Sequence, residues 1–507
     1  MLEKFRMTIL KRKGKLRYTN DQRKEKCFMN AKKWVVVVVS LFLMFGMGDI
    51  PPMFGLSALG MQVAGIFLGT VLLWLFVSVS WPSVLCIVAL TFTSLYSYSE
   101  ALKASMGGWI VSFVLFSSMV TWVLGQTGLL KRVAVWFVTR PFTKKNPWIF
   151  IGLLFLAPLV IGSFMSPVPT FIVFVPIVEQ IFEELGYKKG DKFPQVIMLG
   201  ILFFSSLSTI TTPIAHTVPI LAMSLYEKDM GQPIDFVSYT IFGVVSAIVI
   251  FVIALVLCKF VFRLETERLQ KLDTEILSQG ITKMGREETY SLAVFAVVVF
   301  LWMIPGLIKG VLPGVASFIS SLGTPTPAMI GVVALCLIHV DGKPLMNFNM
   351  AISKVPWTAV MMVAATGILG GALTNEEVGL TKVVVDALSP LIGNMSPMIF
   401  VVCISIVTVM LTNFASNTVT VTLLYSIALP LVYGGAVSGV NPGALASVIG
   451  AGACVALATP PSTAHAAVAA GTGWLKTDLM LKYGLVLSIM AAVIIAVVGY
   501  PIAAMFM

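Results

Sequence analysis

Apolar runs of about twenty residues recur along the whole chain, and this pattern constrains the fold more than any other feature. A run of this length crosses the hydrocarbon core of a bilayer as a helix. Hydrophobic residues make up 58% of the 507 and charged residues 11%, too few charges to cover a soluble protein of this size. The runs are continuous rather than alternating, which argues against a β-barrel. The sequence therefore predicts an all-α polytopic membrane protein rather than a cytosolic enzyme or a disordered chain.

Positive charge is concentrated at the N-terminus. Residues 1–33 hold 12 Lys and Arg and 3 acids, which accounts for nine of the eleven net positive charges. Nucleic-acid binding is one interpretation, but a cytoplasmic segment that obeys the positive-inside rule is favoured. The first apolar run begins only at Trp34 and lacks a small-residue cleavage site. We therefore expect no signal peptide, a cytoplasmic N-terminus, a lipid bilayer around the chain and no nucleic-acid partner.

The first half of the chain contains two interrupted apolar regions. It is predicted to consist of spans at 34–48, 54–78, 81–97 and 107–128, a re-entrant hairpin at 148–185 broken at 162–170, a span at 194–225 broken around 211–216, and a span at 239–262. The charged loop 263–288 then separates the two halves as a cytoplasmic linker.

The second half repeats this plan. It is predicted to consist of spans at 289–306, 326–340 and 356–374, a hairpin at 396–434 broken at 412–418, a span at 443–473 broken at 458–462, and a last span at 478–506. The total is about eleven transmembrane helices and two re-entrant hairpins. The two hairpins open to opposite sides, which is an inverted-repeat topology.

Corresponding interruptions in two halves indicate a transporter binding site. Unwound backbone at the membrane midplane exposes carbonyl oxygens, which suit sodium, and helix N-termini, which suit an anion. Kinks tolerated in ordinary spans are the alternative, but four breaks in matching order favour the site. No Arg follows Arg286, and the later Lys lie near predicted span ends. An anion would therefore depend on backbone amides, hydroxyls, the amide of Asn417 and any bound cation.

Other chemistry is sparse. His216 and His465 follow the two paired Thr-Pro breaks, and two hypotheses stay open: they make transport pH-sensitive, or they only hydrogen-bond to irregular backbone. The chain has no phosphate-binding loop and no His-Glu-x-x-His motif, so we expect no enzyme activity and no cofactor. Its six cysteines form no C-x-x-C pair, so we expect no disulfide and no cysteine-bound metal.

The second-half motifs carry a family resemblance. Phe414-Ala415-Ser416-Asn417-Thr418 resembles the second Ser-Asn-Thr signature of the divalent anion/sodium symporter family, the carriers of dicarboxylates, citrate and sulfate. Ala458-Thr459-Pro460-Pro461-Ser462, Gly471-Thr472-Gly473 and the segment 478–484 resemble the C-terminal end of that family. The resemblance extends over about residues 34–506, with specific motifs in the second half and loose ones in the first.

The resemblance implies a homodimeric elevator-type carrier. Residues 34–128 and 289–374 would form its scaffold domain, and 129–262 and 375–507 its transport domain. The residues expected to contact substrate are Ser166, Thr170, Thr212, Pro213, Ser416, Asn417, Thr418, Thr459, Pro460, Pro461 and Ser462. The residues expected to help bind sodium are Ser166, Ser416, Asn417, Thr418 and Thr459.

The first half departs from the family pattern. Its signature reads Ser166-Pro167-Val168 and lacks both the Asn amide and the Thr hydroxyl. Thr170 lies on the same broken segment and is the expected partial substitute. Ser462 stands where the family has Asn, and 205–209 replaces a Gly-rich stretch.

These observations predict secondary active transport of small organic anions, C4-dicarboxylates above all, with sodium as the coupling ion. Two alternatives stay open: sodium-independent anion exchange, which the altered first signature favours, and a non-transporting membrane receptor or complex subunit. The expected substrates are di- or tricarboxylates or other small anions, and the expected location is a bacterial inner membrane.

Overall fold

The structure is a computed structural model that describes residues 31–53, 55–140, 146–272, 283–392 and 395–507. Most of the predicted basic segment 1–33 and part of the predicted linker 263–288 lie outside these residues.

Helices dominate the described chain. In order they are α1 (Ala31–Gly46), α2 (Ala58–Phe76), α3 (Ser80–Thr91), α4 (Tyr98–Ala104), α5 (Trp109–Gln126), α6 (Leu129–Val138), α7 (Pro147–Gly162), α8 (Pro167–Glu184), α9 (Lys192–Leu207), α10 (Thr217–Met230), α11 (Phe236–Phe260), α12 (Arg286–Ile308), α13 (Pro313–Ser321), α14 (Thr326–Leu337), α15 (Phe348–Ser353), α16 (Trp357–Thr374), α17 (Leu380–Ile392), α18 (Pro397–Thr412), α19 (Asn417–Tyr433), α20 (Pro442–Gly452), α21 (Ala464–Gly471), α22 (Thr477–Ile494) and α23 (Tyr500–Phe506). Within the described ranges, the β-structure is one antiparallel pair of two-residue strands, β1 (His339–Val340) and β2 (Lys343–Pro344).

The predicted all-α polytopic membrane fold is confirmed. Among the described residues, seven helices are long and apolar enough to cross a membrane, or eight if α13 and α14, which meet at a 70° bend, form one span. The predicted total of about eleven also draws on shorter apolar helices and stays a prediction.

Two helical hairpins occupy corresponding places in the two halves. Hairpin 1 consists of α7 and α8 with its tip at 163–166, and hairpin 2 consists of α18 and α19 with its tip at 413–416. Both begin with a capping side chain followed by proline: Asn146 accepts from the backbone of Trp148, and Ser396 accepts from that of Ile399. A capping oxygen satisfies a free N–H, and proline fits the first turn because it needs no N–H partner there.

Each hairpin is followed by an interrupted helix. Broken helix 1 consists of α9, the 3-10 turn Ser208–Ile210 and α10, and broken helix 2 consists of α20, the non-helical stretch 453–463 and α21. Residues 193–210, which include all of α9 after Lys192, are buried without exception.

The two halves interlock through these elements. Helix α8 of hairpin 1 packs against α21 of broken helix 2, and α19 of hairpin 2 packs against α10 of broken helix 1. Helices α10 and α20 also contact each other closely, since a Cβ on Gly450 would lie 2.9 Å from that of Ala222. Small residues at a crossing let two membrane helices approach, so this contact brings the two interruptions together at the centre of the molecule.

Helices α6 and α17 precede the two hairpins. Both are amphipathic, with apolar residues spaced along one face. Neither helix is among the predicted spans and hairpins, because neither contains an apolar run long enough to cross a membrane.

Candidate functional site

Asn413 lies at the tip of hairpin 2 and holds the unwound part of broken helix 2. Its side chain is fully buried. Its Oδ1 accepts hydrogen bonds from the backbone N–H groups of Leu457 (2.9 Å) and Ala458 (2.8 Å). Its Nδ2 donates to the carbonyl oxygens of Val409 (2.8 Å) and Val455 (3.0 Å). All four hydrogen-bonding positions of the amide are used, which replaces bonds that the unwound backbone lacks.

Two hydroxyls of broken helix 2 are also used within the break. Thr459 donates a hydrogen bond of 2.6 Å to the backbone carbonyl of Asn413. Ser462 donates one of 2.6 Å to the carbonyl of Thr459. Both hydroxyl protons therefore bind backbone, and these two predicted site residues hold the break in shape.

The tip of hairpin 1 has the matching contact. Thr212 in broken helix 1 donates a hydrogen bond to the backbone carbonyl of Ser163, as Thr459 does to that of Asn413. The side chains at the two tips differ, because the hydroxyl of Ser163 donates only to its own helix, to the carbonyl of Leu159 (2.7 Å). Among its described residues, the first half thus has the Thr–backbone contact but no side-chain amide that bridges its break as Asn413 does.

Four other predicted site residues keep polar groups available. Within the described chain, the hydroxyls of Ser166, Ser416 and Thr418 have no protein hydrogen-bond partner, and neither has Nδ2 of Asn417. Oδ1 of Asn417 lies 2.9 Å from the hydroxyl of Thr412, which orients the amide. Hydroxyl and amide donors beside the start of a helix suit an anion, because the helix N-terminus is the positive end of its dipole.

Of these four residues, Ser166 lines a cavity of about 210 Å³. Ser166 and His216 line it on one side, and Ser117, Ser118 and Thr121 of α5 line it on the other. No charged side chain is among the described residues that line it. The predicted residues Ser416, Asn417, Thr418 and Thr459 lie outside this lining.

The remaining predicted residues differ in exposure. Thr170 is fully buried, and its hydroxyl donates to the carbonyl of Ser166 (3.0 Å), so it supports the tip of hairpin 1. Pro213 is buried, Pro460 is half-buried and Pro461 is exposed. Thr170 therefore has no free hydroxyl proton with which to replace the missing signature groups.

The two histidines occupy different places. His216 is half-buried and caps α10, because its Nδ1 accepts a hydrogen bond from the backbone of Val218 (3.2 Å). His465 is buried in α21, and its Nε2 lies 2.8 Å from the hydroxyl of Ser206 in α9. His465 thus connects the two broken helices, while His216 faces the cavity wall.

The polar groups at the two breaks suit both a sodium ion and a carboxylate. Carbonyl oxygens and hydroxyls are the ligands of a hard cation such as sodium, and N–H groups suit a carboxylate. Among the described residues, no group of three or more His, Cys, Asp or Glu side chains is placed to hold a metal ion.

A polar cluster also fastens the far end of broken helix 1. Asp229 of α10 accepts hydrogen bonds from Tyr425 of α19 (2.9 Å) and from Thr374 of α16 (3.2 Å). The neighbouring Lys228 donates to the carbonyl of Gly367, also in α16. One end of α10 is therefore bound both to hairpin 2 and to a helix of the predicted scaffold.

Sequence reasoning missed Asn413 and Asp229. The sequence does contain a feature that points to Asn413, because its amide lies inside an apolar run. A polar side chain there costs free energy unless it has hydrogen-bond partners. Asp229 gave no such signal, because it lies among charged residues at a helix end and reads as a solvated group.

Comparisons with known proteins agree with this architecture. A family model described as "Citrate transporter" (CitMHS) matches residues 71–450. The sodium-dependent dicarboxylate transporter SdcS of Staphylococcus saprophyticus is 26% identical over 417 residues, which cover 79% of this chain and 78% of that protein. An uncharacterized transporter of Methanocaldococcus jannaschii, MJ0672, is 23% identical over 343 residues, covering 68% and 71% of the two chains.

A solved structure shares the fold. The crystal structure of the YdaH transporter of Alcanivorax borkumensis matches with a TM-score of 0.56 at 12% identity, and the match covers 86% of this chain and 97% of that one. These findings confirm the predicted family and the prediction that the chain is not an enzyme, and they leave no support for a non-transporting receptor. The chain is a multi-pass membrane transporter that belongs to the citrate transporter family, within the divalent anion/sodium symporters.

Proposed function

We propose that this protein is a secondary active transporter of small organic anions, with C4-dicarboxylates as its main substrates and sodium as its coupling ion. The observation that carries the proposal is the set of unpartnered donors at the hairpin tips: Ser166 in the first half, and Ser416, Asn417 and Thr418 in the second. The sodium-dependent dicarboxylate transporters among its relatives support both the substrate class and the ion.

The substrate is held without a fixed positive charge. One carboxylate is bound by the Asn417 amide and the hydroxyls of Ser416 and Thr418, next to the N-terminus of α19. Thr212, Thr459 and Ser462 act indirectly, since their hydroxyls already donate to backbone and keep the breaks open. Sodium is bound by carbonyl and hydroxyl oxygens at the same breaks, where it also compensates the charge of the substrate.

Transport proceeds by an elevator movement. The hairpins and broken helices, in 129–262 and 375–507, move as one transport domain against a scaffold built from 34–128 and 289–374. The mutual packing of α8 with α21 and of α19 with α10 supports a single moving body. We further propose a homodimer in a bacterial inner membrane, with a cytoplasmic N-terminus.

Sodium-independent anion exchange is the second candidate. It is favoured by the first half, where Ser163 takes the place of the bridging Asn413 and the signature reads Ser166-Pro167-Val168. With fewer oxygen ligands at this tip, a sodium ion would be held more weakly there.

Uptake of labelled succinate into proteoliposomes separates the two candidates. It is measured with an inward sodium gradient and again with potassium in place of sodium, and internal succinate is varied in both. We expect uptake that requires sodium and not internal succinate. Uptake that requires only internal succinate would establish exchange. If succinate is not transported in either condition while citrate or sulfate is, the proposed substrate class is wrong and the transport mode can be tested with that anion.

A further inference from the structure

His216 has a fixed protonation pattern at the start of α10. Its backbone is extended, and Nδ1 accepts the hydrogen bond from Val218 N–H at 3.2 Å. A ring nitrogen that accepts carries no proton, so the imidazole is neutral and its hydrogen is on Nε2. The other side of the ring is therefore an N–H donor, held in place by the cap.

This donor lacks a protein partner. Among the described residues, no acceptor is found within hydrogen-bonding reach of Nε2 of His216. The residue lines the 210 Å³ cavity together with Ser166 and Thr217. The opposite wall does not supply a cation, because its polar residues in the described chain are Ser117, Ser118 and Thr121. The hydroxyls of Ser118 and Thr121 donate to carbonyls of their own helix.

When His216 is included, each half of the chain has an N–H donor without a protein partner among the described residues: the Asn417 amide in the second half and the His216 imidazole in the first. The second half has the amide of Asn417 and a hydroxyl cap, Thr463, whose Oγ1 accepts from Ala466 N–H. The first half lacks the signature amide but has an imidazole cap. Each half thus presents one planar, unpartnered N–H donor near its hairpin tip.

We infer that Nε2–H of His216 donates a hydrogen bond to one carboxylate of the substrate, and that His216 thereby determines the preference for substrates with two carboxylates. This inference rests on the proposed function and goes beyond it by assigning the first-half contact that Ser166-Pro167-Val168 lacks. The contact is charge-assisted and lies at the positive end of α10, which strengthens it.

Two variants of His216 separate its proposed contact with the substrate carboxylate from its role as the cap of α10. Asn and Asp cap helices about equally well, so His216→Asn and His216→Asp both preserve the start of α10. Only the second places a negative charge where the carboxylate would bind. Asn441→Asp is the matched control, because Asn441 caps α20 by accepting from Ala444 N–H and does not line the cavity.

Half-saturating succinate concentrations are measured by sodium-driven uptake, alongside the melting temperature of each purified variant. We expect His216→Asp to raise this concentration by about tenfold or more, since a hydrogen bond to a charged group is lost and replaced by repulsion. His216→Asn should raise it by about threefold or less, and Asn441→Asp should leave it unchanged. If His216→Asp fails to fold, His216→Thr takes its place: it caps without an N–H donor and should also weaken binding.

Substrate preference gives a second readout. Succinamate, in which an amide replaces one carboxylate, should compete poorly with succinate in the wild-type protein and more strongly in His216→Asp, where the amide can donate. Equal affinities of His216→Asp and His216→Asn for succinate would overturn the inference and leave the proposed function intact. Absence of dicarboxylate uptake by the wild-type protein would overturn both.

Discussion

Thr459 donates a hydrogen bond of 2.6 Å to the backbone carbonyl of Asn413, which joins broken helix 2 to the tip of hairpin 2. Thr212 makes the same type of contact with Ser163 in the first half. Each break is therefore tied to a hairpin tip by a Thr hydroxyl, and in the second half Thr412 adds a further bond to the carbonyl of Ala453. The side chains at the two tips also differ: an amide in one half and a hydroxyl in the other.

Replacing Asn413 should destabilise the second half. In Asn413→Ser the buried N–H groups of Leu457 and Ala458 lose their acceptor, and leaving such groups unpaired costs about 3 kcal/mol in total. We expect a lower melting temperature in detergent and weaker succinate binding. Ser163→Ala is the matched variant at the first tip, where a single hydroxyl bond within one helix is lost, and it should cost about 1 kcal/mol or less. Equal melting temperatures of the two variants would contradict the bridging role of Asn413.

Asn417→Ala should abolish measurable succinate uptake without unfolding the protein. Its Nδ2 has no protein partner in the described chain, so its loss removes a ligand contact and only the bond to Thr412. Asn347→Ala is the control, because that amide caps the short helix α15 away from the breaks. Uptake and ligand-induced thermal stabilisation are measured for both. If Asn417→Ala retains binding and transport, the proposed substrate site is wrong.

The contact between Asp229 and Thr374 should bias the position of the proposed transport domain. The hydroxyl proton of Thr374 is shared between Asp229 (3.2 Å) and the carbonyl of Gly370 in its own helix (3.1 Å). Thr374→Val removes the shared bond between the moving part and the scaffold, worth about 1 kcal/mol at most, which corresponds to a shift in equilibrium of roughly fivefold or less. Tyr425→Phe also removes a bond to Asp229, but within the moving part, so it should leave the equilibrium unchanged. The ratio of labelling rates of a cysteine at Ser166 from the two membrane sides measures this equilibrium. Similar ratios in both variants would argue against a contact between two bodies.

The elevator proposal predicts coordinated exposure of the two hairpin tips. Cysteines introduced at Ser166 and Ser416 in a cysteine-free background should become accessible from the same membrane side when the sodium gradient is reversed. Membrane-impermeant thiol reagents added to each side report the change. A cysteine at Ser99, which is exposed in the predicted scaffold, serves as the static reference. Accessibility that is independent of the gradient at both tips would exclude this movement.

Much of the fold is predictable because it depends on local features. Continuous apolar runs predict the helices. The clusters of Pro, Ser, Thr and Asn predict interruptions at 162–170 and 412–418, and the structure has the hairpin tips within them, at 163–166 and 413–416. The amphipathic helix α17 was missed because four polar residues, Thr381, Lys382, Asp386 and Ser389, divide its apolar residues into short runs. The histidine cap was also missed: His216 was recognised as following a break, but nothing local shows which of its ring nitrogens accepts from the backbone.

The sequence by itself determined the membrane class, the two halves and the positions of the breaks, because each depends on composition and on short-range backbone preferences. Only the tertiary structure decided which polar groups are available to a ligand. Thr212 binds a carbonyl 49 residues earlier in the chain, and Thr459 binds one 46 residues earlier, so neither hydroxyl can be assigned from its neighbours. A buried hydroxyl or amide takes the partner that packing brings to it, and the groups left without one, those of Ser166, His216 and Asn417 among them, are known only once that packing is known.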